Sequence, residues 1–243
     1  MGDEMEAYGS GLAELYELIY AGRGKDYAAE SADVTALVQA RKPDAASLLD
    51  VACGTGGHLV FFKRHFATVE GLELSEHMIA KAGQSMPDVP VHQGDMQDFT
   101  LDRKYDAISC MFSSIGYVGS AAELNNTLAS LARHLNPGGV IVIEPWYFPE
   151  AFLPGYIADD LVRTEDRVTV RVSHSERHGD QVPIIVHYID ARKDAGIRHF
   201  TDVHRMHLFT RQQYETAFER AGCSVEYIDR ARFGCGLFVG VLK

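Results

Sequence analysis

Carboxylate side chains and a glycine cluster follow the first two predicted strands of this 243-residue chain, in an order that suits a nucleoside ligand. The apolar run 47–52 leads into glycines from Gly54 onward, which have no β-carbon and so let the backbone approach a ligand. The next apolar run, 67–73, ends in Glu73, about twenty residues after the turn, where a carboxylate can accept hydrogen bonds from both ribose hydroxyls. The spacing therefore predicts a site for an adenosine-containing ligand.

Asp95 supplies a second carboxylate after the short run 89–92, where it could accept a hydrogen bond from an adenine amino group. Both acids also have structural alternatives. Glu73 could cap the helix that opens at Ser75, although Ser75 is itself a good cap, and Asp95 is a common turn residue. Two other nucleotide-binding loops are excluded, because the dinucleotide pattern G-x-G-x-x-G fails at Leu59 and the pattern G-x-x-x-x-G-K-[ST] is absent.

The elements that must position these groups alternate between apolar strands and amphipathic helices, which predicts an α/β fold with a doubly wound, Rossmann-like sheet. Helices are predicted at 12–20, 26–40, 75–86, 121–135 and 211–221, and sheet strands at 47–52, 67–73, 89–92, 105–111, 140–144, 224–228 and 236–241. Before the last helix, alternation of apolar and polar residues predicts an antiparallel β excursion of three strands, at 161–173, 182–190 and 197–208.

Composition narrows the function classes. The formal net charge is −11, and no run of Lys or Arg exceeds two residues, so nucleic acid is not expected as a partner. The four cysteines have no metal-ligand spacing, so no metal is expected. The first six residues are acidic and no apolar stretch reaches membrane length, which predicts a cytoplasmic protein without a membrane partner.

The glycine-rich motif and several shorter sequence stretches resemble those of known enzyme families. Asp50-Val-Ala-Cys-Gly-Thr-Gly-Gly57 resembles the first motif of class I methyltransferases that use S-adenosylmethionine. From about residue 8 to residue 241, the chain resembles the N,N-dimethyltransferases of dTDP-linked 3-amino deoxysugars of macrolide antibiotic biosynthesis, of the mycaminose and desosamine type. The more specific stretches are Arg23-Gly-Lys-Asp-Tyr27, Met111-Phe-Ser-Ser114 and Arg171-Val-Ser-His-Ser175.

The resemblance implies a class I methyltransferase fold, S-adenosylmethionine as the cofactor and a dTDP-amino deoxysugar as the substrate. The residues it implies for the cofactor are Tyr16, Lys25, Ala52, Gly54, Glu73, Asp95, Met96 and Met111. Those it implies for the sugar-nucleotide cleft are Tyr8, Trp146, Tyr147, Phe148, Pro149, Arg171 and Ser175. The sequence alone leaves open whether Tyr8 and Tyr16 line the cleft or pack the helices on the sheet.

These assignments divide one predicted domain into four parts. We expect an N-terminal helical cap at 1–42, an S-adenosylmethionine-binding core at 43–150, the antiparallel β insertion at 151–209 and a return to the core sheet at 210–243. The exposed edges of the insertion also predict a homodimer surface.

Two positions depart from the family pattern. Cys235 stands where the pattern has an arginine, and a neutral thiol cannot make that residue's bidentate contact with phosphate. Either Arg230 or Arg232 compensates, or the carrier group differs. Tyr117 stands where some relatives have a histidine, so a histidine base is not available at that position.

The expected reaction does not require a base. An amino sugar should titrate at about 8, by analogy with α-amino groups, so part of it is neutral and nucleophilic at working pH. Holding the reactants in line can lower the barrier by roughly 7–11 kcal/mol. Either a tyrosine or water could carry the proton away, and Tyr8 and Tyr117 are the candidate catalytic residues. The alternatives are an N- or O-methyltransferase for another small natural product, and a non-catalytic S-adenosylmethionine-binding regulator.

Overall fold

A computed structural model describes residues 10–229 and 232–243 of the chain. The strands of its main sheet are β1 Ser47–Val51, β2 Thr68–Glu73, β3 Val91–Gln93, β4 Tyr105–Cys110, β5 Leu135–Ile143, β10 Cys223–Ile228 and β11 Leu237–Leu242. They lie in the order β10-β11-β5-β4-β1-β2-β3. Strands β1 to β5 run parallel, and β11 lies antiparallel between β5 and β10. The doubly wound fold predicted from the sequence is confirmed.

Six α-helices pack around the sheets in the described part of the chain. They are α1 Ser10–Gly22, α2 Tyr27–Arg41, α3 Leu59–Phe62, α4 Glu76–Ser85, α5 Ala121–Arg133 and α6 Arg211–Arg220. Side-chain oxygens of Asp26, Ser75, Ser120 and Thr210 cap α2, α4, α5 and α6. Each cap satisfies a backbone N–H that the first turn of a helix leaves unpaired, which fixes where the helix begins.

Strand β1, which lies between β4 and β2, is buried along its whole length because helices cover both faces of the sheet. Leu49 and Val51 face the core that includes α5 and α6, and Leu48 faces the core that includes α2 and α3. A strand covered on both sides is rigid, and so the carboxyl end of β1 is a fixed platform for the glycine turn.

The β insertion has four strands, not three. They are β6 Ile157–Arg163, β7 Arg167–Ser175, β8 Gln181–Arg192 and β9 Gly196–His207, all antiparallel neighbours in that order. The single strand predicted at 161–173 is wrong because the chain reverses at 164–166, where the Thr164 N–H donates to the Arg167 carbonyl. The turn residues, Thr-Glu-Asp, include neither glycine nor proline, so the apolar–polar alternation runs through the hairpin without a break in the sequence.

The Asn-Pro-Gly-Gly segment at 136–139 has the composition of a tight turn before the fifth strand, and it lies inside β5 instead. Tyr105 pairs with Leu135 and Ala107 pairs with Val140, so the ladder between β4 and β5 shifts register across this segment. Gly138 has a φ of 70°, which places the irregularity at a residue that tolerates it.

One face of the β insertion lies over the main domain. Strand β6 packs against α1, and β9 packs against the 3₁₀ turn Ser114–Tyr117, which follows β4. The insertion therefore covers the edge of the main sheet at which β1, β2 and β4 end. Among residues 10–229 and 232–243, no helix is long and apolar enough to cross a bilayer.

Candidate active site

Backbone strain is concentrated where β1 and β4 end. Ala52, directly after β1, has a φ of 56°, and Phe112 and Ser113, after β4, have φ values of 55° and 60°. Side chains other than glycine rarely adopt such angles, and each instance costs on the order of 1–3 kcal/mol. Strain that the surrounding structure maintains at the carboxyl ends of parallel strands is typical of a ligand site.

A cavity of about 220 Å³ opens at this edge of the sheet. It brings together seven residues predicted from the sequence, namely Tyr16, Ala52, Gly54, Glu73, Asp95, Met96 and Tyr117. The rest of its lining comes from Leu72, Leu74, Ser75, Met78, Gly94 and Ser114. The φ of Gly54 is 58°, and a β-carbon there would meet no atom within 4 Å, so the turn leaves open space above it.

Glu73 joins the glycine turn to the end of β2. Its Oε2 accepts a hydrogen bond from the Gly54 amide at 2.8 Å, and its Oε1 accepts from the amides of Leu74 and Ser75, each at 2.9 Å. The residue is only 8% exposed, so these bonds hold the carboxylate in one orientation at the cavity. Ser75, not Glu73, caps α4, since Ser75 Oγ accepts from the Met78 amide at 3.4 Å.

Asp95 and Met96 form the opposite wall, after β3. Asp95 Oδ1 accepts from the Gln97 amide at 2.9 Å, so the turn role considered for it does occur. The same side chain lines the cavity, and so the two roles are compatible. Met96 lines the cavity as well and packs against the core beneath it.

A second, much smaller cavity of about 20 Å³ lies deeper, between the glycine turn and β4. Tyr16, Asp50 and Met111 are among the residues that line it. Asp50 is almost fully buried, and burial raises the pKa of its carboxyl to about 6, although Ser109 Oγ donates to Oδ1 at 2.7 Å. A buried carboxylate at a cavity wall suits a ligand with positive charge.

Lys25 lies beside these cavities and does not line either of them. Its Nζ is 2.7 Å from Glu30 Oε2 and 3.8 Å from the centre of the Phe112 ring. His58 Nε2 is 2.8 Å from the same Glu30 oxygen. Although burial alone would raise the pKa of Glu30, the bonds from His58 and Lys25 lower it. No local sequence pattern indicates this buried group behind the glycine turn, and the predicted contact of Lys25 with the cofactor stays a prediction.

The aromatic residues predicted for the substrate cleft separate into two groups. Trp146 and Tyr147 form a cluster with Phe152, with ring centres 5.5 and 6.2 Å from that ring, and Tyr147 is 48% exposed. Phe148 turns the other way and packs against Tyr227 and Phe238 at the main core. The predicted cleft residue Pro149 lies in the same loop, and its carbonyl accepts a hydrogen bond from Arg177 Nη1 at 2.8 Å.

Arg171 and Ser175 share the inner face of β7. Arg171 Nη1 lies 3.4 Å from Asp160 Oδ2, and Arg171 Nε is buried without a hydrogen-bond acceptor among the described residues. Ser175 Oγ donates to the Tyr156 carbonyl at 3.4 Å. Neither Arg171 nor Ser175 lines the two cavities, and the predicted contact of each with the substrate stays a prediction.

The departure at Cys235 is not offset by Arg232 in this structure. Arg232 Nε is 3.0 Å from Asp33 Oδ2, in an ion pair between the C-terminal segment and α2. Cys235 is half-buried near the Phe148 backbone, and burial raises the pKa of its thiol. Arg230 and the predicted catalytic and substrate residue Tyr8 lie outside the described residues.

Tyr117 has a partner that the sequence did not reveal. Its hydroxyl lies 2.7 Å from Nδ1 of His204, which reaches it from β9. His204 is 9% exposed, and burial, together with the charge of Arg171, lowers the pKa of its imidazole to about 4. The two residues are 87 positions apart, and no local pattern connects a 3₁₀ turn with a strand of a separate sheet.

Comparison with known proteins agrees with this geometry. Residues 48–139 match the family model of a methyltransferase domain. The chain is 52% identical over 229 residues to dTDP-3-amino-3,4,6-trideoxy-alpha-D-glucopyranose N,N-dimethyltransferase of Streptomyces venezuelae, which covers 94% of this chain and 97% of the relative. It is also 52% identical over 234 residues to dTDP-3-amino-3,6-dideoxy-alpha-D-glucopyranose N,N-dimethyltransferase of Streptomyces fradiae, which covers 96% and 92%.

A solved structure extends the likeness to three dimensions. CalS10, an amino pentose methyltransferase of Micromonospora echinaspora involved in calicheamicin biosynthesis and solved with S-adenosylmethionine bound, superimposes with a TM-score of 0.86. The match covers 94% of this chain and 97% of that one, at 44% identity. The two N,N-dimethyltransferases are each 52% identical to this chain over more than nine-tenths of both sequences. The chain belongs to the S-adenosylmethionine-dependent sugar N,N-dimethyltransferases.

Proposed function

We propose that this enzyme transfers two methyl groups, one at a time, from S-adenosylmethionine to the 3-amino group of a dTDP-linked amino deoxysugar in antibiotic biosynthesis. The observation that carries the proposal is the cavity in which Glu73, Asp95 and Tyr117 meet, in a chain that is 52% identical to two enzymes named for 3-amino sugars. The first methyl transfer leaves a secondary amine, which is still a nucleophile and can react again.

The residues of the site fit S-adenosylmethionine. Glu73 presents a fixed carboxylate for the ribose hydroxyls, and Asp95 presents another for the adenine amino group. The buried charge of Asp50 lies next to the deeper cavity, where a ligand with positive groups would offset it. When bound, the cofactor supplies an electrophilic methyl group on a sulfonium. Tyr16, Ala52, Gly54, Met96 and Met111 would complete its pocket, with Lys25 behind Phe112.

The substrate side is proposed to lie between the 3₁₀ turn and the insertion. Trp146 and Tyr147 offer aromatic surface that excludes water, and Arg171 holds a buried Nε donor that a sugar or phosphate oxygen could satisfy. Phe148 and Pro149 would shape the site through the backbone of the loop that carries Trp146 and Tyr147. Ser175 would fix the start of the insertion through its hydrogen bond to the Tyr156 carbonyl. Tyr8 remains a proposed contact from the N-terminal segment.

We propose that the chain contributes orientation rather than a base. The amine is partly neutral near pH 8, and placing two reactants in line can supply roughly 7–11 kcal/mol of the barrier reduction. His204, the imidazole nearest to Tyr117, has its pKa lowered to about 4, so it is a poor acceptor for an ammonium proton. The proton therefore leaves to water after the methyl group has moved.

The test is turnover with labelled S-adenosylmethionine on a panel of sugars. We expect dimethylation of dTDP-3-amino sugars and little reaction with 4-amino isomers or with the same 3-amino sugars lacking dTDP. Efficient methylation of sugars without the nucleotide would favour the alternative of another small natural product, and would explain Cys235. Cofactor binding without turnover of any amine would favour a regulator.

The insertion also supports a proposed homodimer in a reducing cytoplasm. Six large, exposed apolar residues occupy its outer face, namely Ile157, Leu161, Val172, Ile185, Ile189 and Ile197. An exposed apolar face of this kind is typical of a protein interface. All four cysteines are free thiols, as expected in a reducing compartment.

A further inference from the structure

The pair formed by Tyr117 and His204 lies at the boundary of the two sheets. Tyr117 belongs to the 3₁₀ turn and lines the larger cavity, while His204 belongs to β9, which packs against the same turn. Their heavy atoms are 2.7 Å apart, which is a strong hydrogen bond between a phenol and an imidazole. The β insertion thus contributes a polar group to the reaction cavity through Tyr117.

The pair can hold its hydrogens in two ways. In one, the Tyr117 hydroxyl donates to an unprotonated Nδ1, and in the other a protonated Nδ1 donates to the Tyr117 oxygen. The phenol is the more acidic donor and the imidazole nitrogen the more basic acceptor, so the first arrangement is the stronger bond. Burial and the positive charge of the Arg171 guanidinium favour a neutral His204 ring. The carboxylate of Asp202, two residues away on the same strand face, acts in the opposite direction, and the net effect is a lowered pKa for His204.

The two arrangements differ in whether Tyr117 accepts a hydrogen bond from a substrate amine or donates one to it. If Tyr117 donates to His204, its oxygen keeps acceptor capacity for an N–H of a ligand in the cavity that Tyr117 lines. If Tyr117 is instead free to donate, its hydrogen bonds to the amine lone pair, which is the electron pair that must attack. Only the first arrangement leaves that lone pair directed at the methyl group.

We infer that His204 is a positioning residue, which holds the Tyr117 hydroxyl as a hydrogen-bond acceptor for the substrate amine and so aims the amine lone pair. The inference rests on the proposed function and adds a residue to its mechanism. In the step itself, the amine nitrogen bonds to the methyl carbon as the carbon–sulfur bond breaks and its electron pair returns to sulfur. The extra proton on nitrogen then leaves to water, and neither Tyr117 nor His204 changes charge.

The first test needs no substrate. Nitrogen-15 NMR of the imidazole rings in the wild-type protein should show Nδ1 of His204 without a proton and Nε2 with one, from pH 5 to pH 8. Tyr117→Phe should shift the Nδ1 signal alone, because it removes the hydrogen bond. A protonated ring at pH 7, or a proton on Nδ1, would overturn the inference.

The second test is kinetic and uses His204→Leu, His204→Asn, Tyr117→Phe and the double variant that combines His204→Leu with Tyr117→Phe. His204→Leu and Tyr117→Phe should each lower kcat about 5- to 30-fold, the value of about one hydrogen bond, with little change in the KM for the cofactor. The double variant should lose no more than either one alone, since both remove the same contact. His204→Asn should recover most of the rate, because its amide oxygen can accept at the position of Nδ1.

The control is His199→Asn, the same change on the opposite face of β9. The inference fails if His204→Asn is as slow as His204→Leu and changes the alkaline limb of the pH profile, since that would make His204 a base. It also fails if His204→Leu leaves kcat unchanged. A failure of the proposed function would look different. In that case the wild-type enzyme would not methylate the sugar, while the NMR result for His204 would be unchanged.

Discussion

At the scale of single residues, the site depends on carboxylates whose surroundings differ. Glu73 accepts three backbone hydrogen bonds, whereas Asp50 is buried with the Ser109 hydroxyl beside it. The spacing of the glycine turn was enough to predict that Glu73 and Asp95 would lie at one edge of the sheet. It could not reveal His204 or Glu30, because their contacts join segments that are distant in the sequence and carry no local pattern.

Glu73→Gln should weaken S-adenosylmethionine binding by about 1.5–3 kcal/mol, since hydrogen bonds to a charged acceptor are worth about that much. Glutamine keeps the size of the side chain but replaces one acceptor oxygen with an NH2 donor, so either Gly54 or the Leu74–Ser75 amides lose their acceptor, and the unfolding midpoint of the variant must be measured beside its affinity. Calorimetry on the purified protein would measure the change. Glu76→Gln, an exposed acid at the start of α4, is the control and should bind normally; equal affinity in the two variants would show that Glu73 does not hold the ribose.

Asp50→Asn should make the protein without cofactor more stable at pH 7. The folded-state pKa of about 6 lies above the usual value near 4, so the stability that Asp50 contributes is lost as pH rises through that window. At pH 7 its buried charge costs about 2–3 kcal/mol, which asparagine removes, while at pH 4 the two proteins should differ little.

Urea unfolding at the two pH values checks this prediction, with Asp44→Asn as an exposed control. The same variant should bind S-adenosylmethionine more weakly, because the carboxylate no longer offsets positive charge on the ligand. A gain in stability that is equal at pH 4 and pH 7 would contradict the ionisation argument.

At the scale of elements, most of the parallel strands and the capped helices were predicted closely because buried strands and cap residues have strong local signals. Strand β5 is the exception, since it begins at Leu135 and includes the segment predicted as a turn. The insertion was predicted less well. Its first hairpin turns without glycine or proline, so the periodicity of β6 and β7 reads as one strand. The inner face of this sheet is held together at one end by Asp190, which accepts from Arg167, Arg192 and Arg198.

Asp190→Asn should lower the free energy of unfolding by about 2–4 kcal/mol. Burial alone would raise the pKa of Asp190. The hydrogen bonds from Arg167, Thr169 and Arg192 outweigh burial and hold that pKa well below its usual range. Removing the charge leaves three arginines without their common partner, and breaking a buried pair from one side is costly. Denaturant unfolding measures the effect against Asp194→Asn in the exposed turn, and a loss equal to that control's would count against the network.

At the scale of the whole molecule, the two faces of the insertion differ in their residues and in what they contact. The inner face carries Arg171 and His204 toward the site, and the outer face carries the exposed apolar residues. A net charge of −11 keeps separate molecules apart at long range, so the proposed homodimer depends on a local apolar surface. The sequence predicted an interface at the edges of the insertion, whereas its exposed apolar residues lie on the outer face.

The double substitution of Ile185→Lys and Ile189→Lys should convert the proposed homodimer into a monomer, because two charges would be buried in an apolar interface. Sedimentation velocity at micromolar concentration measures the mass. Val60→Lys, an exposed apolar position on α3, is the control and should remain dimeric. A wild-type monomer, or a dimer that survives both lysines, would show that the face has another role.

The central claim is that orientation, without a protein base, drives methyl transfer in this site. Single-turnover methylation of Tyr117→Phe and wild type, with cofactor and sugar saturating, tests it across pH. We predict that both rates rise with the ionisation of the substrate amine near pH 8 and then level off, and that the variant stays within a hundredfold of wild type. A thousandfold loss with binding intact, or a second ionisation that disappears in the variant, would contradict the claim.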